Sequence, residues 1–351
     1  MELSFENYIM QLIKNPTLLV ITVLILGVIL VNGWTDAPNA IATCVSTRAI
    51  RPKKAIAMAA IFNFLGVFVM TILSSTVVQT LYNIANFGNN PSNALMALCA
   101  GLVAIVLWAV LAWVFGIPTS ESHALVAGVS GAAIAIQHGI SGINMDEWIK
   151  VVYGLILSAI LGFLFGYVIT KIIEKICKNM DRRKTIPFFK KFQVFSGATM
   201  AFMHGAQDGQ KFIGIFLLGV SLANGVTNAG SFEIPMWLML LCSATMTLGT
   251  SIGGYKIIKT VGLKMVKLET YQGASADIGS SLCLLVSTIF GLPVSTTQVK
   301  TTAIMGVGAS KSLRRVNWKV VKNMVVTWII TFPACGLLGY ITTLLFMNIW
   351  G

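Results

Sequence analysis

The sequence predicts an all-α polytopic membrane protein made of two inverted-topology repeats of about five spans each, with broken helices or re-entrant hairpins. Hydrophobic residues make up 56% of the 351 residues and charged residues only 11%, whereas a soluble chain normally has about a quarter charged residues. Long uncharged runs such as 16–31 recur along the chain. Two kinds of polar segment, described below, stand at matching places in the two halves and predict the repeat.

Each predicted span is an apolar run whose length is close to the roughly 20 residues that a helix needs to cross the hydrocarbon core. The first repeat, 1–174, has predicted spans near 17–47, 54–80, 93–115, 117–137 and 149–174. A basic linker, 175–192, separates it from the second repeat, 193–351, with spans near 193–223, 236–254, 272–290, 293–310 and 321–348. Because proline-led polar breaks open 117–137 and 293–310, these two segments either span the membrane or re-enter it.

The distribution of positive charge predicts the orientation of the chain. Of the 25 Lys and Arg residues, 21 lie in the four short segments 48–54, 171–191, 256–267 and 311–322. Basic residues in short loops mark the cytoplasmic side of a membrane protein. This arrangement predicts a multi-pass protein of the cell membrane with both termini outside, and it excludes nucleic acid as the reason for the net charge of +13.

One buried aspartate per half is the first candidate for chemistry. Asp36 lies in segment 33–41 and Asp208 in the similar segment 205–213. A carboxylate at mid-membrane is costly and therefore usually functional. It can coordinate Na⁺, carry a proton, or form an ion pair with Lys211 or Lys300. The amides of Asn39 and Gln210 follow the two aspartates closely enough to join the same cation site.

A hydroxyl-rich tip in each half is the second candidate. The tips carry candidate anion ligands at Thr119, Ser120 and Ser122 and at Ser295, Thr296 and Thr297. Hydroxyls and helix N-terminal N–H groups supply the many donors that a tetrahedral oxyanion needs. The alternative role is hydrogen bonding between helices. Accessory candidates are Lys211, Lys300, His123 and Gln298.

Interrupted segments at matching positions of two halves are typical of the binding site of a secondary transporter. An enzyme would need a nucleophile beside a base, or a metal cluster, and the sequence has no such spacing. It also lacks the Gly-rich phosphate loop of a primary pump. A passive channel is the remaining class, and its flux would not respond to a cation gradient.

These segments resemble the inorganic phosphate transporter (PiT) family of cation-coupled symporters. The family's Gly-x-Asn-Asp-x-x-Asn and Gly-x-Asn-Asp-x-Gln-Lys segments are echoed at 33–39 and 205–211, and its Pro-Val-Ser-Thr-Thr-His tips at 118–123 and 293–298. The stretches 252–262 and 322–325 are also similar. This sequence departs from the pattern at four places, namely Thr35, Gln207, Pro38 and Gln298.

The resemblance implies uptake of inorganic phosphate together with Na⁺ or H⁺. It implies that the hydroxyl tips hold the anion, that the aspartates and amides hold the cation, and that the protein forms a homodimer. No cofactor is expected beyond the coupling ion. Two alternatives stay open, Na⁺ or H⁺ as the driving ion and sulfate or another oxyanion as the solute.

Overall fold

The chain folds almost entirely into helices. The computed structural model describes residues 4–88, 90–115, 119–225, 233–252, 258 and 265–350. Three stretches that bear on the predictions lie outside the described residues. They are 116–118, at the start of the predicted span 117–137; 226–232, between the predicted spans 193–223 and 236–254; and 253–257 with 259–264, which cover most of the basic segment 256–267 and of the family-like stretch 252–262. Within the described residues, β structure consists of a single bridge between Ala85 and Ile143.

The helices follow one another with short connections. Those of the first half are α1 (Phe5–Lys14), α2 (Pro16–Thr35), α3 (Pro38–Ser46), α4 (Pro52–Leu73), α5 (Thr76–Tyr82), α6 (Pro91–Phe115), α7 (Glu121–Gln137) and α8 (Met145–Ile176). Those of the second half are α9 (Arg182–Ala223), α10 (Met236–Ile252), α11 (Thr270–Ile289), α12 (Thr296–Lys311) and α13 (Trp318–Trp350).

Five helical stretches of the described chain are long and apolar enough to cross a bilayer, which confirms the prediction of an all-α membrane protein. They are Pro16–Ser46, Pro52–Leu73, Pro91–Phe115, Met145–Ile176 and Trp318–Trp350. The other predicted spans fall on helices that are shorter, as in α10, or richer in polar residues, as in α9, α11 and α12. Polar side chains are tolerated there because protein, rather than lipid, surrounds them.

Helix α9 is the central element of the bundle. It runs for 42 residues and packs against α2, α3, α4, α5 and α11. Almost every residue from Ser196 to Leu222 is buried. Its first residues, 182–192, belong to the predicted linker yet are helical, because Asp181 caps the helix by accepting a hydrogen bond from the N–H of Arg183.

Helices from the first half of the sequence pack against helices from the second half. Helix α7 packs most extensively on α13, whereas α12 packs most extensively on α8. In the same way, α4 lies against α9 and α2 lies against α10. Each half therefore packs its helices against helices of the other half, and the site described below forms where they meet. The inverted orientation of the two halves stays a prediction.

The break around Asp36 lies where the sequence predicts an interrupted segment, but the matching segment 205–213 is uninterrupted helix. The break within the predicted span 54–80 was not predicted. The turn at Asp36 and Ala37 separates α2 from α3, and Pro38 occupies the first position of α3, where a missing N–H costs no helical hydrogen bond. A second break at Ser74 and Ser75 separates α4 from α5. Helix α7 has 17 residues and α12 has 16, so each extends about 25 Å. Both begin in the interior at a hydroxyl tip.

Glycine allows the closest helix contacts in the bundle. A Cβ atom on Gly66 in α4 would overlap the backbone carbonyl of Phe202 in α9. On α2, by contrast, a Cβ atom on Gly27 would meet no atom within 4 Å. Backbones approach this closely in membrane bundles when small residues line the interface.

We expect Gly66→Ala to destabilise the protein by roughly 1–3 kcal/mol, because the added methyl group forces α4 away from α9. Gly27→Ala is the matched control, and its effect should be neutral or slightly stabilising, since alanine favours a helix over glycine. The midpoint of thermal unfolding in detergent measures both variants. Equal midpoints for the two variants would contradict the close approach of α4 and α9.

Candidate functional site

Asp36 is held at the break between α2 and α3, in the interior of the protein. Its side chain is only 2% exposed. The backbone N–H of Asp36 donates to the carbonyl of Asn32, 2.8 Å away, and so ends α2. Its carboxylate accepts hydrogen bonds from the amide of Asn39, at 2.7 Å, and from the hydroxyl of Thr297. The break therefore presents the carboxylate to α12.

Asp208 lies on the continuous helix α9 and shares one face with two basic side chains. Lys211, three residues later, places its Nζ atom 2.7 Å from Oδ1 of Asp208. His204, four residues earlier, places Nε2 at 3.3 Å from Oδ2, without hydrogen-bond geometry. Neighbours at these spacings lie on the same side of a helix. All three side chains are buried.

The two hydroxyl tips place two helix N-termini beside these aspartates. Ser120 caps α7 by accepting from the N–H of His123 at 3.2 Å, and Ser295 caps α12 by accepting from the N–H of Gln298 at 3.1 Å. The partial positive charge of each N-terminus favours a negative group nearby. Helix α12 meets both aspartates through Thr296, and α7 meets Lys211 through Ser122.

Thr296 joins the two aspartates directly. Its hydroxyl oxygen lies 3.3 Å from Oδ2 of Asp36 and 3.2 Å from Oδ2 of Asp208. A hydroxyl has one proton to donate, so it can satisfy one carboxylate at a time. Oxygen or nitrogen atoms of Asp36, His204 and Asp208 lie within 4.8 Å of one another, close enough to share one cation.

Lys211 links the first tip to the second. Its ammonium donates to Ser122 Oγ at 2.6 Å and to the backbone carbonyl of Val294 at 2.5 Å, as well as to Asp208. Val294 belongs to the second tip, 293–298. One buried ammonium therefore contacts both tips and one aspartate motif.

Two amide side chains that donate to the aspartates have oxygen atoms with no hydrogen-bond donor among the described residues. These atoms are Oδ1 of Asn32 and Oδ1 of Asn39, both buried. The amide nitrogens of the same side chains donate to Asp208 and Asp36 respectively. Buried polar atoms are nearly always paired, so unpaired acceptors require an explanation. Carbonyl and carboxylate oxygens are the ligands that hard cations prefer.

Glu121 adds a third carboxylate beside the aspartates. It is 3% exposed, and it accepts a hydrogen bond of 3.2 Å from the hydroxyl of Thr35. Although it occupies the end of a predicted span, it does not face the surface. The second tip has no acidic counterpart at this position.

Some predicted site residues point to other partners. Gln210 donates to the carbonyl of Ser74 at 2.7 Å, and Gln298 donates to the carbonyl of Leu155 at 3.3 Å. The ring of His123 stacks on Phe332, with centroids 4.7 Å apart. Thr119 is buried at the tip, beside the cap residue Ser120.

Lys300 belongs to a second buried cluster. It forms an ion pair with Asp277 of α11, while Lys211 pairs with Asp208. Asp277 also accepts hydrogen bonds from Thr43, Gln193 and Ser196. The cluster ties α3, α9, α11 and α12 together.

Sequence reasoning missed Asn32 and the three polar partners of Asp277. Asn32 ends an apolar run four residues before Asp36, which is one helical turn away. That spacing was the available signal for Asn32. No comparable signal marks Thr43, Gln193 or Ser196, since these residues meet only through the tertiary packing.

A polytopic bundle with two buried aspartates and two inward-facing helix N-termini is the architecture of a membrane protein that handles a small ionic solute. The model of the phosphate transporter family matches residues 32–339. The chain therefore belongs to that family.

Individual relatives extend this comparison. The chain is 39% identical to a probable low-affinity inorganic phosphate transporter of Bacillus subtilis, over 92% of this chain and 96% of the relative. It is 35% identical to a protein of the same description from Rhizobium meliloti, over 88% and 90% of the two chains. A solved structure described as the sodium-dependent phosphate transporter has the same fold, with a TM-score of 0.85 at 23% identity, covering 95% of this chain and 100% of the other.

We expect Lys211→Met to destabilise the protein by about 3–5 kcal/mol, because it leaves Asp208 as a buried charge without its cation. Adding Asp208→Asn to Lys211→Met removes that charge and should restore most of the loss. Lys150→Met serves as the control, since Lys150 pairs with Glu147 at the surface and such pairs contribute about 0–1 kcal/mol. Thermal unfolding midpoints in detergent measure the three variants, and no recovery in the double variant would contradict the pairing.

Proposed function

We propose that this protein is a secondary active symporter that imports inorganic phosphate together with Na⁺ by alternating access. Membership of the phosphate transporter family supports phosphate as the solute. The structural neighbour described as sodium-dependent supports Na⁺ as the coupled cation. The observation that carries the proposal is the meeting of two aspartates and two hydroxyl tips around Thr296 and Lys211.

The tips and Lys211 would hold the anion. Phosphate accepts hydrogen bonds at all of its oxygens, and backbone N–H groups at a helix N-terminus favour such an anion. In the proposal the ligands come from both tips, namely Thr119, Ser120, Ser122, Ser295, Thr296 and Thr297. Lys211 supplies a full positive charge, and charge-assisted hydrogen bonds are about twice as strong as neutral ones.

The aspartates and amides would hold the cation. Asp36 and Asp208 supply carboxylate oxygens, and Asn39 supplies an amide oxygen that lacks a donor among the described residues. The unpaired oxygen of Asn32 adds a ligand beside Asp208. Gln210 joins through its own unpaired amide oxygen, while its nitrogen stays on Ser74.

The charge balance of the site supports coupling between cation and anion. Asp36, Asp208 and Glu121 are three buried carboxyl groups, and Lys211 is the one lysine among the described residues that contacts this cluster. A phosphate ion adds further negative charge. Burying uncompensated charge costs several kcal/mol per ion, so bound cations would make anion binding favourable. A cation and phosphate then bind, and cross the membrane, together.

The arrangement of helices supports alternating access. The inverted repeats, 1–174 and 193–351, would exchange their last helices, since α8 packs on α12 and α13 packs on α7. Many transporters open their central site to the two sides in turn by moving one bundle against the other. We also propose that the protein lies in the cell membrane with both termini outside, and that it forms a homodimer.

We expect Asp36→Asn to reduce Na⁺-driven phosphate uptake into proteoliposomes by at least about tenfold, because the amide replaces a charged cation ligand. A hydrogen bond or contact to a charged group is worth about 1.5–3 kcal/mol, and 1.4 kcal/mol corresponds to tenfold. Asp146→Asn is the control, since Asp146 is exposed in the first turn of α8. Full uptake by Asp36→Asn would contradict the assignment.

The same vesicles distinguish the remaining alternatives. Uptake driven by an imposed pH gradient, and not by Na⁺, would assign H⁺ as the coupled cation. Accumulation of labelled sulfate in place of phosphate would change the solute. Phosphate flux that is the same with and without the Na⁺ and pH gradients would identify a channel.

A further inference from the structure

Two adjoining clefts lie where α8 ends and α9 begins, away from the central site. One is almost wholly apolar and has a volume of about 740 Å³, and the other is polar and has a volume of about 470 Å³. They share one wall, formed by Ile173, Cys177, Met180, Thr185 and Phe189. Together their lining is complementary to an amphiphilic molecule, because an apolar region adjoins a charged one.

The apolar cleft opens on the outer surface of the bundle, beside exposed apolar side chains of α8 and α9. Ile169, Phe188, Phe192 and Ile278 line it beyond the shared wall. Phe188 is 59% exposed although its side chain is large and apolar. Side chains of this kind cover the hydrocarbon chains of a lipid well, since burial of apolar surface is favourable and needs no specific geometry.

The polar cleft contains more positive charge than its own ion pairs use. Lys311 pairs with Glu174 at 3.0 Å, and Arg182 approaches Glu269 at 3.4 Å. Lys178, on the wall of the same cleft, has no acidic partner within 4 Å among the described residues. Lys184, on the rim of the apolar cleft, has none either. Asp181 also lines the apolar cleft, where its carboxylate accepts a hydrogen bond from the N–H of Arg183. Two ammonium groups without a salt-bridge partner in the described part of the chain therefore lie beside the shared wall.

The sequence predicts that this end of the bundle faces the cytoplasm, because eight basic residues fall in 171–191. Basic pockets between membrane helices on that side bind the head groups of anionic lipids. A free phosphate ion would leave the apolar cleft uncovered, and a zwitterionic lipid would leave the excess positive charge unbalanced.

We propose that these clefts bind one anionic phospholipid, with its phosphodiester between Lys178 and Lys184 and its acyl chains in the apolar cleft. The lipid would fix the junction between α8 and the central helix α9. This inference is independent of which solute the central site transports.

The test compares lipid retention by purified variants. Protein is equilibrated with micelles that contain phosphatidylglycerol or phosphatidylcholine with the same acyl chains, and bound lipid is counted by native mass spectrometry. We expect the wild-type protein to retain phosphatidylglycerol in preference to phosphatidylcholine. In the double variant Lys178→Ala/Lys184→Ala, the ratio of bound phosphatidylglycerol to bound phosphatidylcholine should fall by roughly tenfold. Each basic residue near an anionic lipid contributes to its binding.

The matched control is Lys190→Ala/Lys191→Ala, which removes the same charge from exposed positions of α9 that line neither cleft. It should retain phosphatidylglycerol as the wild-type protein does. An equal loss in both double variants would overturn the proposal, because it would indicate general attraction to a basic surface.

A second variant tests the apolar half of the site without removing charge. Ile176→Trp fills the apolar cleft from an exposed position, so it should fold normally and release the lipid. Retention of phosphatidylglycerol at the wild-type level would overturn the proposal. So would loss of bound phosphatidylglycerol from the wild-type protein when inorganic phosphate is added, because the basic residues of the clefts would then hold free phosphate in place of the lipid.

Discussion

The close approach of two buried carboxylates to one threonine hydroxyl is the constraint on which the rest of this structure depends. Thr296 lies within 3.3 Å of both Asp36 and Asp208. Negative charges at this depth repel each other strongly, because the surrounding medium screens them poorly. Lys211, the amides and the two helix N-termini offset part of that repulsion. The proposed cations would supply the rest, and phosphate would bind only with them.

Tight packing of helices makes this site possible. The four polar segments belong to α2–α3, α7, α9 and α12. Small residues allow close packing there, since a Cβ atom on Gly197 of α9 would overlap the sulfur of Cys44 in α3. A separate ion pair, Lys300 with Asp277, joins α3 and α9 to α11 and α12. The polar interior is thus divided into one cluster whose charges compensate one another and one cluster with a surplus of negative charge.

The sequence predicts the helices and the polar segments around which the site forms. The helices follow from long apolar runs, and the matched segments around Asp36 and Asp208 locate residues that the fold brings together. The partner of Lys300 could not be predicted, since Asp277 reaches it from another helix and spacing along one helix says nothing about its neighbour. The same limit applies to Gln210 and Gln298, whose segments match the pattern but whose side chains bond to the backbone of adjacent helices.

The affinity for phosphate at several Na⁺ concentrations tests the central claim most directly. Calorimetry on the purified protein, with choline replacing Na⁺ at constant ionic strength and constant pH, would measure it. If the carboxylates hold the cations that make anion binding favourable, phosphate binding must strengthen as Na⁺ rises, and Na⁺ binding must strengthen equally with phosphate. Phosphate binding of the same affinity in choline and in Na⁺ would contradict this account.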